Sequence, residues 1–270
     1  MLEIDGVRKT FHPGSVNEVR ALRGVTLSIQ DGSFTVVIGT NGSGKSTLLN
    51  AVAGSFFLDG GRVRLGGRDI TYWPEHRRAA LFGRVFQNPF SGTAPQLSIA
   101  ENFALAARRG FRRGLGWAVS GGLQRDLRAV VGQLGMGLED RLDTPIGTLS
   151  GGQRQALTLL MATWQKPELL LLDEHTAALD PKSADQIITL TEKIITRDRL
   201  TALMVTHSMQ RAARFGDRLV MMHRGQLIED FAGERKKRVR AEELLERFEE
   251  LRRSELLDES AAEMLERCYV

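Results

Sequence analysis

The run Gly39, Thr40, Asn41, Gly42, Ser43, Gly44, Lys45, Ser46, Thr47 fits the pattern G-x-x-x-x-G-K-[ST]. It follows a continuous apolar stretch, Phe34–Ile38 (FTVVI), and opens a helical segment, Lys45–Ala53, that stops at Gly54. A continuous apolar run suits a strand covered on both faces, so the order strand, glycine-rich turn, helix demands an α/β architecture. Glycines let the backbone wrap phosphate oxygens and point its N–H groups inward, and the helix adds its positive dipole end. The spacing places Lys45 toward the β- and γ-phosphates of a nucleoside triphosphate and the Ser46 hydroxyl in a Mg²⁺ shell.

The rest of the 270-residue chain extends this pattern. Leu2–Val7 and Ala21–Ile29 alternate as half-buried antiparallel strands, and Arg62–Leu65 is a further short strand. Pro74 opens a helix through Ala80. Residues 89–166 change character: Ser98-Ile-Ala-Glu101 is a capping-box start for a helix to Arg109, Gly110–Gly122 is a connection, and Leu123–Leu134 and Gly152–Gln165 are helical. Strands Leu169–Leu172 and Ala202–Val205 then alternate with helices Ser183–Ile195 and Ser208–Phe215, and Arg218–Met222 with Gln226–Phe231 form a hairpin. The division expected is a core of residues 1–88 and 167–233, a helical insert of 89–166 and a tail of 234–270. In that tail Leu244, Leu245, Phe248 and Leu251 line an amphipathic helix, and a second short helix is expected over Ala261–Cys268.

Composition excludes several classes. No apolar run approaches the roughly 20 residues of a membrane-spanning helix, and MLEIDGVRKT has no signal core. Cys268 is the only cysteine, so neither an intramolecular disulfide nor a cysteine-cluster metal site can form. A cytosolic location is expected. The net charge of +4 is concentrated in Arg108–Arg113 and Arg235–Arg240. Arginines without interleaved aromatics do not make a stacking surface for single strands, so nucleic acid is not an expected partner. A solvated surface is the first reading of these runs, and proximity to lipid headgroups the second.

The chemistry-bearing residues narrow the reading. Leu169–Leu172 runs into Asp173 and Glu174: beside a phosphate loop, Asp173 can hold Mg²⁺ through water and Glu174 can act as general base on an attacking water. Upstream, Leu149, Ser150, Gly151, Gly152 and Gln153 spell LSGGQ at a helix start, a second anion site. LSGGQ between two nucleotide motifs resembles the signature of the ABC ATPases, and the resemblance spans residues 2–231. It implies an α/β P-loop NTPase core with a mostly parallel sheet, an N-terminal antiparallel β subdomain and an inserted α-helical subdomain.

The resemblance also assigns roles. Gln87 matches the Q-loop glutamine that contacts Mg²⁺ and the attacking water. His207 matches the switch histidine at the γ-phosphate, and Asp180, in Ala177-Ala-Leu-Asp180, the D-loop. Phe11 stands where the family carries an aromatic on adenine; a strand-end core Phe is the rival reading. Glu174-His175-Thr176 departs from the usual Glu-Pro-Thr, and the role of His175 stays open. The resemblance implies ATP and Mg²⁺ as cofactors and a head-to-tail homodimer in which the LSGGQ of one subunit meets the ATP of the other. It also implies separate permease subunits, an extracytoplasmic binding protein, and a place on the cytoplasmic face of the membrane. Val19–Ser28, Gly39–Asn50 and Glu174–Ser183 are similar to ATPase subunits of aromatic amino-acid uptake systems. An exporter or lipoprotein-releasing ATPase and an iron–sulfur assembly ATPase are the alternatives. A regulatory module without turnover is disfavoured by Glu174 and His207.

Overall fold

The structure is a computed structural model that describes residues 1–111, 119–251 and 253. The expected helix over Ala261–Cys268 and most of the connection between Gly110 and Gly122 lie outside the described residues.

A four-stranded antiparallel sheet takes β1 (Leu2–Phe11), β2 (Val19–Ile29), β4 (Gly60–Leu65) and β5 (Arg68–Asp69) in the order β2-β1-β4-β5. A six-stranded sheet takes β3 (Phe34–Gly39), β6 (Phe82–Val85), β7 (Leu169–Asp173), β8 (Ala202–Val205), β9 (Arg218–His223) and β10 (Gln226–Ala232). Its order is β10-β9-β3-β8-β7-β6, parallel throughout except for the β9–β10 hairpin. The helices are α1 (Lys45–Ala53), α2 (Glu75–Arg78), α3 (Ile99–Ala107), α4 (Gly121–Gly132), α5 (Gly151–Thr163), α6 (Pro181–Asp198), α7 (Met209–Arg214), α8 (Gly233–Arg238) and α9 (241–251).

The parallel sheet divides the interior into two cores, and its strands read as continuous apolar runs because they face both. Val36, Ile38, Leu170, Leu172 and Met204 enter one core with Phe103, Leu127, Leu157 and Ile188 from the helices. Val37, Leu169, Leu171, Leu203 and Val205 enter the other, against α1 and the antiparallel sheet. Burial alternates differently in β1: Leu2 and Ile4 are buried, then Val7, and the register slips between Ile4 and Val7. This bulge breaks the period of two and carries the strand past the expected end at Val7 to Phe11. Helix α6 likewise starts earlier than its apolar spacing suggested, because Asp180 caps it and Pro181 takes the first helical position. The short α2 ends at Arg78 rather than Ala80.

In the tail, Leu244 and Phe248 are buried and Leu251 packs partly against the helical core, whereas Leu245 is half exposed. The stripe is i, i+4, i+7, and α9 packs it against the helical core of its own domain. The Lys236 ammonium, itself buried, donates to the Ala213 carbonyl at 2.7 Å, near the end of α7.

Arg78 is fully buried and donates to four main-chain carbonyls: Trp73 at 2.9 Å, Ala51 at 2.8 Å, Val52 at 2.7 Å and Thr71 at 2.7 Å. Burial lowers its pKa to about 10, which leaves it charged at neutral pH. Ala51 and Val52 belong to the last turn of α1, so this cation satisfies orphan carbonyls at the negative end of the phosphate-loop helix. Arg78→Met should therefore destabilise the protein by about 3 kcal/mol, measured as a lowered urea midpoint with an unchanged slope.

Candidate active site

The parallel register brings the sequence-predicted residues to one edge. Val37 pairs with Val205, and Val205 in turn with Asp173, so β3, β8 and β7 end at the same level. The loops leaving them carry Gly39–Thr47, His207 and Glu174. This is the carboxyl edge of a parallel sheet, where such folds bind ligands.

The phosphate loop is tight. A Cβ on Gly39 would lie 2.4 Å from the Met222 carbonyl, and Gly44 holds a φ of +99° with the Ala21 carbonyl 2.5 Å from where its Cβ would be. Lys45 is buried, and its ammonium donates to the Gly39 carbonyl at 2.9 Å and the Thr40 carbonyl at 3.0 Å. Burial pushes its pKa down, opposed by Glu174 and Asp173. The lysine thus spans the loop it follows and holds its charge inside the curve.

The acidic pair divides its contacts. Asp173 Oδ1 accepts from Ser46 Oγ at 3.3 Å, while Oδ2 faces Arg84 Nη2 at 3.9 Å. Burial raises the Asp173 pKa, and Arg84 is the largest influence opposing that shift. Glu174 has a φ of +44°, costly for a residue with a Cβ, and its N–H donates to the Val205 carbonyl at 3.0 Å. Its Oε2 lies 3.1 Å from Nδ1 of His207, an exposed ring whose partner carboxylate is mostly buried. Gln87 is exposed and lies two residues past the Val85–Leu172 pair, in the loop that follows β6, the strand beside β7. Phe11 pairs with Val19, two residues from Ala21 at the phosphate loop, and its ring meets Phe56 edge-on at 5.4 Å.

Ser150 caps α5 with a full capping box: its Oγ accepts from the Gln153 N–H, and its own N–H donates to Gln153 Oε1, both at 3.2 Å. Leu149 is buried, whereas Ser150 and Gly151 are exposed. A Cβ on Gly151 would be 3.3 Å from Leu179, and one on Gly152 would be 3.0 Å from Ser183 Oγ. The LSGGQ glycines are thus the surface against which the Asp180 loop and the start of α6 pack. Asp180 caps α6 by accepting from the Ser183 N–H at 3.0 Å, and its pKa is lowered first by the Ser183 side chain and then by that main-chain bond.

Two arginines outside the nucleotide motifs hold this edge together. Arg154 is buried, donates to the carbonyls of Ile146, Gly147 and Leu149, and stacks over Phe90 at 3.6 Å. Arg84 contacts Asp173, Asn50 and Glu75. Neither belongs to a spaced pattern; adjacency of Arg154 to LSGGQ is the one signal of either in the sequence.

His175 is buried and does not face the chemistry. Its Nε2 lies 3.0 Å from Thr191 Oγ1, and that hydroxyl donates to the Ile187 carbonyl at 2.8 Å. The hydroxyl proton is thereby used, so the Nε2 nitrogen carries the hydrogen and donates. Arg211 Nη1 donates to Thr176 Oγ1 at 2.7 Å, pinning the next residue to α7.

For Mg²⁺ and phosphate the donor set fits: a serine hydroxyl and a carboxylate oxygen converge beside the loop, and the buried Ser43 Oγ has no hydrogen-bond partner among the described residues. Burial, with Arg211 second, lowers the His175 pKa to about 3. The unfolded chain protonates first as pH falls below 6.5, so this contribution is complete above that pH and is lost on acidification toward 3. Wild type should lose up to about 1.4 kcal/mol per pH unit more than His175→Gln between pH 6 and 4, read by urea unfolding at several pH values.

Residues 22–177 match the ABC transporter family. The tyrosine transport ATP-binding protein of Clostridioides difficile (strain R20291) is 39% identical over 250 residues, covering 92% of this chain and 99% of that protein. A lipoprotein-releasing system ATP-binding protein of Caulobacter vibrioides is 34% identical over 227 residues, covering 82% and 92% respectively. A solved dimeric ATP-binding cassette in a post-hydrolysis state, with ADP and inorganic phosphate bound, superposes with a TM-score of 0.72. That structure is 28% identical, and the match covers 86% of this chain and 98% of the other.

Proposed function

Since the chain belongs to the ABC transporter family and is an ATP-hydrolysing subunit of a transporter, we propose that it drives uptake of a small solute, an amino acid of the aromatic class, through separate permease subunits. The convergence of Lys45, Asp173–Glu174 and His207 on one sheet edge carries the catalytic reading. Similarity to the tyrosine transport protein over almost its whole length supports the uptake reading. The lipoprotein-releasing relatives favour a second reading, outward release from the membrane.

In the catalytic cycle we assign to this site, loop amides and Lys45 bind the β- and γ-phosphates and Phe11 covers adenine. Ser46, Asp173 and Gln87 would hold Mg²⁺, which supplies charge neutralisation along the phosphates. Glu174 accepts a proton from water as the water oxygen bonds to the γ-phosphorus; the bond to the β–γ bridging oxygen breaks, and ADP leaves with that electron pair. His207 orients Glu174 through its Nδ1 contact and lies toward the transferring group. Leu149, Ser150, Gly151, Gly152 and Gln153 of a second copy complete the site, with Asp180 at the junction. The γ-phosphate charge is then shared by two helix N-termini, so binding closes the dimer and hydrolysis loosens it.

Within this reading, residues 1–88 and 167–233 act as the ATPase core and 89–166 as the arm that moves with the permease. The working place is the cytoplasmic face of the membrane, beside an extracytoplasmic binding protein. Among the described residues no helix is long and apolar enough to cross a membrane.

Glu174→Gln should cut ATP turnover by about 10²-fold or more while nucleotide still binds; Lys45→Ala should lose both, by turnover assay and equilibrium binding. Tagged Glu174→Gln protein purified from membranes with ATP should bring a permease with it, and deleting the gene should abolish labelled tyrosine uptake. Intact uptake of aromatic amino acids alongside retained lipoprotein in the membrane would establish the second reading instead.

A further inference from the structure

Arg84 is a cation placed between the ATP site and a groove, and no nucleotide motif includes it. It sits on β6, the outermost parallel strand, next to β7 whose end is Asp173. Its side chain is mostly buried. The Nη2 atom reaches Asn50 Oδ1 on α1 and faces Asp173 Oδ2 at 3.9 Å; the Nη1 atom reaches Ser55 Oγ at 3.3 Å and Glu75 at 3.6 Å. The Nε atom is buried with no hydrogen-bond partner among the described residues, so the fork is anchored only through its Nη atoms. Its guanidinium lies over the Phe86 ring at 4.5 Å.

Arg84 and Phe86 both line a groove of 880 Å³ bounded by α2, α3 and α5, with Glu75, Leu105, Arg109 and Met161 among its walls. Phe86 immediately precedes Gln87, and its carbonyl is held by Gln155 Nε2 at 3.2 Å. Arg84 thus lays its guanidinium face over the Phe86 ring of the groove wall and turns its Nη2 edge to Asp173. Two side chains divide the Asp173 oxygens between them: Ser46 bonds to Oδ1 and Arg84 faces Oδ2. Without Arg84, no other described hydrogen bond or ion pair would hold Oδ2.

We propose that Arg84 is a positioning residue that orients Asp173 for the metal–nucleotide complex and transmits the state of the groove to it through Phe86. This rests on the assignment of Ser46 and Asp173 above. A shift of the Phe86 ring in the groove wall moves the guanidinium lying over it, and the charge facing Asp173 Oδ2 moves with it. The residue acts on the metal-dependent part of nucleotide binding and leaves the phosphate loop itself untouched.

The test is equilibrium binding of a fluorescent ADP analogue to the full chain, with Mg²⁺ and in EDTA. Arg84→Met should weaken binding about fivefold in Mg²⁺ and leave it unchanged in EDTA, the scale of losing one partly buried ion pair. Arg84→Lys, which keeps the charge without the fork, should recover part of the loss. Phe86→Ala, which frees the guanidinium from its ring, should reproduce the Mg²⁺-specific loss in weaker form. Equal losses in Mg²⁺ and EDTA would mark general damage and overturn the proposal, as would no loss for Arg84→Met. An unaffected Phe86→Ala would overturn the link to the groove. A Lys45→Ala control should lose binding in both conditions; if it binds normally, the nucleotide-site assignment fails instead.

Discussion

Main-chain hydrogen bonds between parallel strands β3, β8 and β7 set the level at which three loops leave the sheet, and the chemistry depends on that level. Parallel strands of this kind are covered on both faces. The two cores do this, with alternate residues of each strand committed to opposite sides. A one-residue slip of β7 against β8 would turn its leucines over and move Asp173 and Glu174 away from Ser46 and His207. The site is therefore as well specified as the cores.

Buried cations do a second job. Arg78 closes the end of α1, Arg154 gathers the carbonyls ahead of α5, and Lys236 binds the Ala213 carbonyl near the end of α7. In each case main-chain oxygens without a helical partner would otherwise be sealed from water. Two of these clamps adjoin segments that carry function: the phosphate loop at the other end of α1 and the signature at the start of α5. Around Glu174 side chains do the same for the strained turn, since His175 bonds to Thr191 on α6 and Thr176 accepts from Arg211 on α7. The loop that carries Glu174 is held from both sides.

The signature and the Asp180 loop form one packed unit in a single chain, through Gly151 against Leu179 and Gly152 against Ser183. Under the proposed reading, a second copy docking on LSGGQ would press on the segment that follows Glu174. That contact offers a short mechanical route between the surface a second copy would cover and the residue assigned as base.

Much of this is legible in the order of the amino acids. The phosphate loop, the apolar strands, the capping box at Ser98, the helix start at LSGGQ and the succession of the motifs are local patterns, decided by backbone chemistry within a few residues. Matches to the family and to solved cassettes agree with the fold those patterns implied. What the sequence left open needed partners distant along the chain. The bulge that prolongs β1 depends on pairing with β2 and β4, and the exposure of Leu245 on which stripe of α9 meets the core. His175 is assigned as a buried donor only because Thr191 lies opposite it, and Arg84 acquires a role only because β6 is seated beside β7. A motif reports what a segment can bind, because that is set by its own atoms; the orientation of Asp173, the pinning of Glu174 and the placing of a buried charge are set by neighbours that only the folded chain brings within reach.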